Sequence, residues 1–181
     1  RQRQMCIRDS YKPMPGYRFI ASNTDRSKYY VGELNGRSSK QAYMDALHIS
    51  ESNIINQTFH NPIGKMNGQD ICIISLKEVS GNGLCCYRQV NDSDVLVLLE
   101  EQDYNEILDE TLQRIRRDFN HISGVFSINC VFRYLLFSQE HHMEDYLKTM
   151  STLGDHAGLI GFGEHYNQQF VNQTMTCVVF E

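Results

Sequence analysis

No apolar run in this chain approaches the roughly 20 residues a bilayer-crossing helix requires, and no signal-peptide pattern is visible. Positive charge is also short: 17 Lys and Arg stand against 22 Asp and Glu, for a formal net charge of −5. Polyanion binding needs an excess of cations. The one basic cluster, "QRIRRDF", lies among acids in a helical pattern, so neither nucleic acid nor membrane is an expected partner. Six cysteines in 181 residues are too sparse for a disulfide scaffold. Cys72, Cys130 and Cys177 lie in apolar strand-like runs, as buried reduced thiols do, which fits a reducing, cytoplasmic setting. Neither G-x-G-x-x-G nor G-x-x-x-x-G-K-[ST] occurs, so nucleotide sites of those types have no support. His-Glu-x-x-His and Cys-x-x-Cys are absent too. His141 and His142 are helical neighbours that diverge by about 100°, a poor geometry for sharing one ion. No metal and no cofactor is expected.

What is present is an ordinary globular composition, 41% hydrophobic and 22% charged, with enough apolar material for a core. The first ten residues, "RQRQMCIRDS", stand apart as basic and patternless. They resemble a peptide that recurs when sequencing-adapter DNA is translated in metagenomic assemblies. The expectation is a non-native or disordered tail over 1–10, with a single domain over 11–181 and a natural N-terminus that is missing.

Strands are expected over 17–22 and 28–34, followed by a turn at Asn35-Gly36. Ser38 or Ser39 then caps a helix running to His48. A short helix follows over 50–59 until Pro62 and Gly64 break the pattern. Three runs, 71–79, 83–90 and 95–101, are joined by turn-forming "SGNG" and "NDSD" and predict consecutive antiparallel strands. Residues 103–119 carry the clearest helical stripe, Ile107, Leu108, Leu112, Ile115 and Phe119, with Asp103 as N-cap. A buried strand over 123–132, helical turns ending at Gly154, and two last strands near 157–163 and 173–180 complete the order. The fold class is α+β, a mostly antiparallel sheet of about 7–8 strands with helices packed on it.

Candidate chemistry concentrates near the end. Cys130 closes an apolar strand before a helical turn, where a helix N-terminus lowers a thiol pKa. Arg133 follows three residues later. His165 is a candidate base for a Cys130 nucleophile, and the structural alternative for Cys130 is a small buried hydrophobe. Glu164, His165 and the amide-rich "NQQFVNQT" either orient a small polar ligand or cap a solvated hairpin and satisfy buried backbone groups.

Taken in order, "YYVGELNGRSSKQAYMDAL", "NPIG", "VFSINCVFR" and "GFGEHYNQQFVNQTMTCVVF" resemble the FIST C-terminal domain of F-box and intracellular signal-transduction proteins. Glu33, Asn35-Gly36, Pro62-Ile63-Gly64, Cys130 with Arg133, Gly163-Glu164 and Asn172-Gln173-Thr174 carry the resemblance, over about residues 28 to 181. Here "HYNQQFV" replaces a link that is usually glycine-rich, and the usual N-terminal FIST half is absent. The resemblance implies a non-enzymatic sensory module that binds a small ligand such as an amino acid or small carboxylate. Its other partners would be the N-terminal FIST half and the signalling domains of the parent protein. On that reading Arg133 takes the ligand carboxylate, Glu164 its ammonium, and Asn172 and Thr174 fix orientation, with Cys130 and Gln173 completing the site. The alternatives are a protein-interaction module of F-box type, which predicts an exposed apolar patch, and a Cys130-dependent hydrolase.

Overall fold

The computed structural model describes the backbone of every residue except 1, 7–9 and 167–168. It describes side chains from residue 10 onward, apart from 164–170. The fold is α+β, as expected. The chain forms two compact units, one made of residues 11–101 and the other of residues 1–10 with 102–181.

The chain opens with a strand, β1 (Gln2–Cys6). This corrects the expectation of an irregular tail that includes Met5: Met5 stands opposite Cys177 in an antiparallel ladder. Strand pairing is made by backbone groups, so an edge can recruit a segment with no periodic side-chain pattern. Ile7, named in the same expectation, lies outside the described residues.

The unit of residues 11–101 contains β2 (Tyr11–Asp25), β3 (Tyr30–Leu34), β4 (Arg37–Ser38), α1 (Ser39–Leu47) and α2 (Ile54–Gln57). It continues with β5 (Ile63–Asn67), β6 (Asp70–Ile74), β7 (Leu76–Ser80), β8 (Gly83–Cys86) and β9 (Val95–Glu101). Asn35 and Gly36 both take positive φ, 52° and 72°, which suits a two-residue turn joining β3 to β4 with the twist of the flanking strands. Ser38 then caps α1 by accepting from the Gln41 N–H at 3.2 Å. The sheet order is β6-β5-β9-β2-β3-β8-β7, with β4 on β3.

That order corrects the expected meander. Of the three runs expected to pair in succession, only the end of the first (β7) and the second (β8) do so. β9 pairs instead with β2 and β5, and β8 pairs with β3. The run 71–79 is two strands, broken at buried Ser75. β6 and β7 are the two ends of the strand order although one residue joins them, so the sheet curls until its edges approach. Inside lie Val31, Leu34, Tyr43, Ile54, Ile74, Leu76, Leu84, Leu96 and Leu98.

The other unit continues from β1 with α3 (Tyr104–Asp118), β10 (Gly124–Cys130), α4 (Val131–Gln139), α5 (Met143–Ser151) and β11 (Asp155–Gly161). It ends with β12 (Glu164–Tyr166), β13 (Gln169–Val171) and β14 (Met175–Phe180). Asp103 caps α3 by accepting from the N–H groups of Asn105 and Glu106, and Ile107, Leu108, Leu112 and Ile115 form the buried face. The sheet order is β1-β14-β10-β11, so the two last long strands share a sheet with β10 between them. β10 and β11 run parallel, which requires the crossover that α4 and α5 supply. β12 and β13 form a separate antiparallel pair. His141 is exposed while His142 is buried against Tyr104 and Phe137, with ring centroids 4.3 and 4.8 Å away. Among the described residues no helix is long and apolar enough to cross a membrane.

Candidate functional site

β10 alternates strictly. Val125, Ser127 and Asn129 face inward and are buried, whereas Phe126 is exposed. A period of two therefore lines up two polar side chains on one buried face. On the neighbouring strand Gly158 stands opposite Ser127. A Cβ at Gly158 would lie 2.6 Å from Ser127 Oγ and 2.8 Å from the Ser127 carbonyl oxygen, so only glycine fits there. His156, two residues earlier on β11, reaches Ser127 Oγ through Nε2 at 2.9 Å. From α5 comes Tyr146, 1% exposed. Its hydroxyl accepts from Asn129 Nδ2 at 2.8 Å, donates to Met175 Sδ at 2.8 Å and lies 3.4 Å from Ser127 Oγ.

These four side chains line a cavity of about 320 Å³, with Tyr134, Met143, Leu147, Leu159 and Ile160 supplying apolar wall. Burial pushes the His156 pKa down and the Tyr146 pKa up. Both groups are therefore uncharged near neutral pH. Asn129 is buried, and its Oδ1 makes no hydrogen bond while Nδ2 is committed to Tyr146. A serine hydroxyl against a neutral imidazole is half of a nucleophile–base pair, but among the described residues no carboxylate bonds His156 to orient it. The arrangement is a set of mutually bonded polar side chains with one buried acceptor left over.

The residues expected from sequence lie nearby in the chain but form a different grouping. Cys130 is 1% exposed, and its N–H donates to the Thr174 carbonyl at 3.0 Å. This bond joins the end of β10 to the segment preceding β14. Gln173 and Thr174 are buried, Asn172 is half-buried, and Gln173 holds a left-handed backbone at φ 55°. Arg133, one turn into α4, is 4% exposed. It donates to Ser10 Oγ at 3.0 Å and stacks its guanidinium 4.4 Å from the Phe137 ring centroid. It is not among the residues lining the cavity. The side chains of Glu164 and His165 lie outside the described residues. Cys130 and Thr174 are thus brought together, with Arg133 a turn away.

Ser127, Asn129, Tyr146 and His156 escaped the sequence reading. The available signal was in "VFSINCVF", where two polar residues at i and i+2 interrupt an otherwise apolar strand. A buried strand that carries polar side chains on its inner face must give them partners.

A sequence profile of the FIST C domain matches residues 40–167 of the chain. This protein belongs to the FIST C domain family. FIST C domains are sensory-type domains of signal transduction. Comparison with curated proteins finds no match, and neither does comparison with solved structures. The matched range of the FIST C domain includes Cys130, Arg133 and Glu164 and all four polar cavity residues, while Asn172, Gln173 and Thr174 follow it.

Proposed function

We propose that this FIST C domain is a cytoplasmic, non-catalytic sensor of a small polar ligand, and that it reports occupancy to the domains joined to it in the parent protein. The observation that carries ligand binding is the 320 Å³ cavity with four hydrogen-bonded polar side chains on an otherwise apolar wall. Small-molecule sites combine an apolar lining with a few convergent polar groups in this way. Amino acids and small carboxylates are the class implied by the family resemblance. For such a ligand Arg133 is the carboxylate partner and Glu164 the ammonium partner, with Asn172, Gln173, Thr174 and Cys130 around them. Arg133 would exchange its bond to Ser10 for the bidentate carboxylate geometry that guanidinium favours.

Thermal-shift measurements against amino acids, small carboxylates and neutral compounds test this reading. A ligand at a hundredfold its Kd adds about 2.7 kcal/mol of stability. At least one compound is expected to raise the melting temperature with saturation, and Glu164→Gln is expected to abolish the shift if that compound is an amino acid. A flat response across all three classes overturns the proposal.

A second reading has its own observation. β11 ends the strand order of its sheet, and Leu159, Ile160 and Phe162 on or just after it are 48%, 45% and 90% exposed. Exposed apolar surface along an edge strand suits a protein-interaction module of F-box type. Loss of partner binding in a Phe162→Ser variant with unchanged ligand response would favour it, because Phe162 does not line the cavity.

A further inference from the structure

The polar content of the cavity limits its occupant beyond the word ligand. Every polar side chain in its wall is uncharged: a serine, an asparagine, two tyrosines and a histidine. Arg133 does not line it, and neither does any lysine or carboxylate among the described residues. A carboxylate or ammonium enclosed there would meet no counter-charge, and burying an unpaired ion costs several kcal/mol. Neutral ligands pay no such penalty.

The hydrogen-bond inventory narrows the choice further. Ser127 and His156 are committed to each other at 2.9 Å. The Tyr146 hydroxyl accepts a hydrogen bond from Asn129 Nδ2 and donates one to Met175 Sδ. Among the buried polar atoms of the wall, the one left without a partner is an acceptor, Asn129 Oδ1, on a side chain only 8% exposed. A buried amide oxygen without a donor carries a standing desolvation cost of roughly 1–3 kcal/mol. The oxygen is closed off from solvent in this state, so the amide must turn toward the cavity before a ligand N–H or O–H removes that cost. The remaining wall, formed by Met143, Leu147, Leu159 and Ile160, asks for an apolar body. The volume is at the lower end for small-molecule sites.

We infer that the β10–β11–α5 cavity binds a neutral, mainly apolar molecule of about one or two rings that presents a single N–H or O–H donor to Asn129 Oδ1. This rests on the sensing function proposed above and replaces the zwitterion at this cavity with an uncharged ligand. Asn129 is the specificity-determining residue. Ser127 and Tyr146 position it, Ser127 through the Tyr146 hydroxyl, and Gly158 leaves room for Ser127.

The test uses the whole chain, calorimetric titration, and matched probes: indole and phenol, their donor-blocked analogues 1-methylindole and anisole, and the zwitterions tryptophan and tyrosine. Indole or phenol is expected to bind saturably. The blocked analogues should bind about tenfold more weakly or worse, the worth of one hydrogen bond to a buried acceptor. The zwitterions should give no heat assignable to this cavity. Asn129→Leu is expected to erase the difference between blocked and unblocked probes. Should Asn129→Leu fail to fold, Leu147→Trp offers a second variant, because Leu147 is 46% exposed and lines the cavity; it should weaken all neutral probes together. Equal affinity for blocked and unblocked probes overturns the inference. So does binding of indole or phenol that neither variant weakens. Arg133-dependent binding of an amino acid with no response to neutral probes overturns it while leaving ligand sensing intact. Silence from every probe overturns both.

Discussion

The two compact units treat buried polar groups in opposite ways. In residues 11–101 they are tied to the main chain. Tyr43 donates to the Asn61 carbonyl, Ser39 to the Val31 carbonyl, and Asn61 Nδ2 to the Leu99 carbonyl, while Thr58 Oγ1 accepts from the Leu76 N–H. Each such bond fixes one stretch of backbone against another. In the unit of residues 102–181 Ser127, Asn129, Tyr146 and His156 bond chiefly to one another. Side chains bonded to side chains can change partners without moving a strand. The first pattern specifies a fold, and the second is what the proposed sensing function uses.

Mutation should separate the two patterns, most visibly in packing. Ile54 is fully buried in the curled sheet, so Ile54→Ala is expected to cost about 2–5 kcal/mol in urea titrations. Leu147, on the cavity wall and 46% exposed, should cost within about 0.5 kcal/mol when cut to alanine. Comparable losses would mean that the cavity wall is core after all. A smaller contrast is expected among the polar groups. Thr58→Val keeps the shape but strands the Leu76 N–H, at about 1–3 kcal/mol. Asn129→Leu removes an acceptor that is already unsatisfied and one bond to the Tyr146 hydroxyl, which keeps its bond to Met175, and should cost about 1 kcal/mol or less. If Asn129→Leu proved the more damaging, its network would be structural and the contrast would fail.

The smallest effect is a pH dependence in the cavity unit. Burial lowers the pKa of both His142 and His156 below the usual 6.5. For His142 the burial effect outweighs the opposing fields of Asp145, Glu140 and Asp103. The unfolded chain therefore binds more protons than the folded one as pH falls through about 6.5. Stability should be full above that value, decline as pH drops toward the folded pKa values, and level off below them. His156→Gln should flatten part of this decline in melting curves taken between pH 7.5 and 5. An unchanged slope would mean that His156 is as free to protonate in the folded chain as in the unfolded one.

Local chemistry carried much of the fold into the sequence. The Asn35-Gly36 turn, the Ser38 cap and the Asp103 cap each depend on a few adjacent residues, and all three could be read directly. The division of 71–79 at Ser75 could not, because "ICIISLKEV" is a continuous β-forming run. Its break comes from where the chain must go, from one end of the sheet order to the other. The strand at Gln2–Cys6 was hidden for a related reason, since its pairing depends on a distant edge at β14. The cavity was half legible. Ser127 and Asn129 announce a polar inner face, but Tyr146 and His156 join them only through a crossover of two helices. The family resemblance makes Arg133 the partner of a ligand carboxylate. In the fold it lies against Phe137, and an aromatic face four residues along a helix is a quiet alternative to a ligand carboxylate.

Ser75 also has a consequence for how the curled sheet comes together. β5–β6 and β7–β8 are local hairpins that need only short loops to form. Both are held to each other by the single peptide unit at Ser75, so once they exist their far strands are already neighbours along the chain. What remains is to insert β9, β2 and β3 between their other edges. The closing step then resembles fastening a belt whose buckle was made first: the slow search belongs to the long early strand β2, and Ser75 spares the two ends of the sheet from having to find one another.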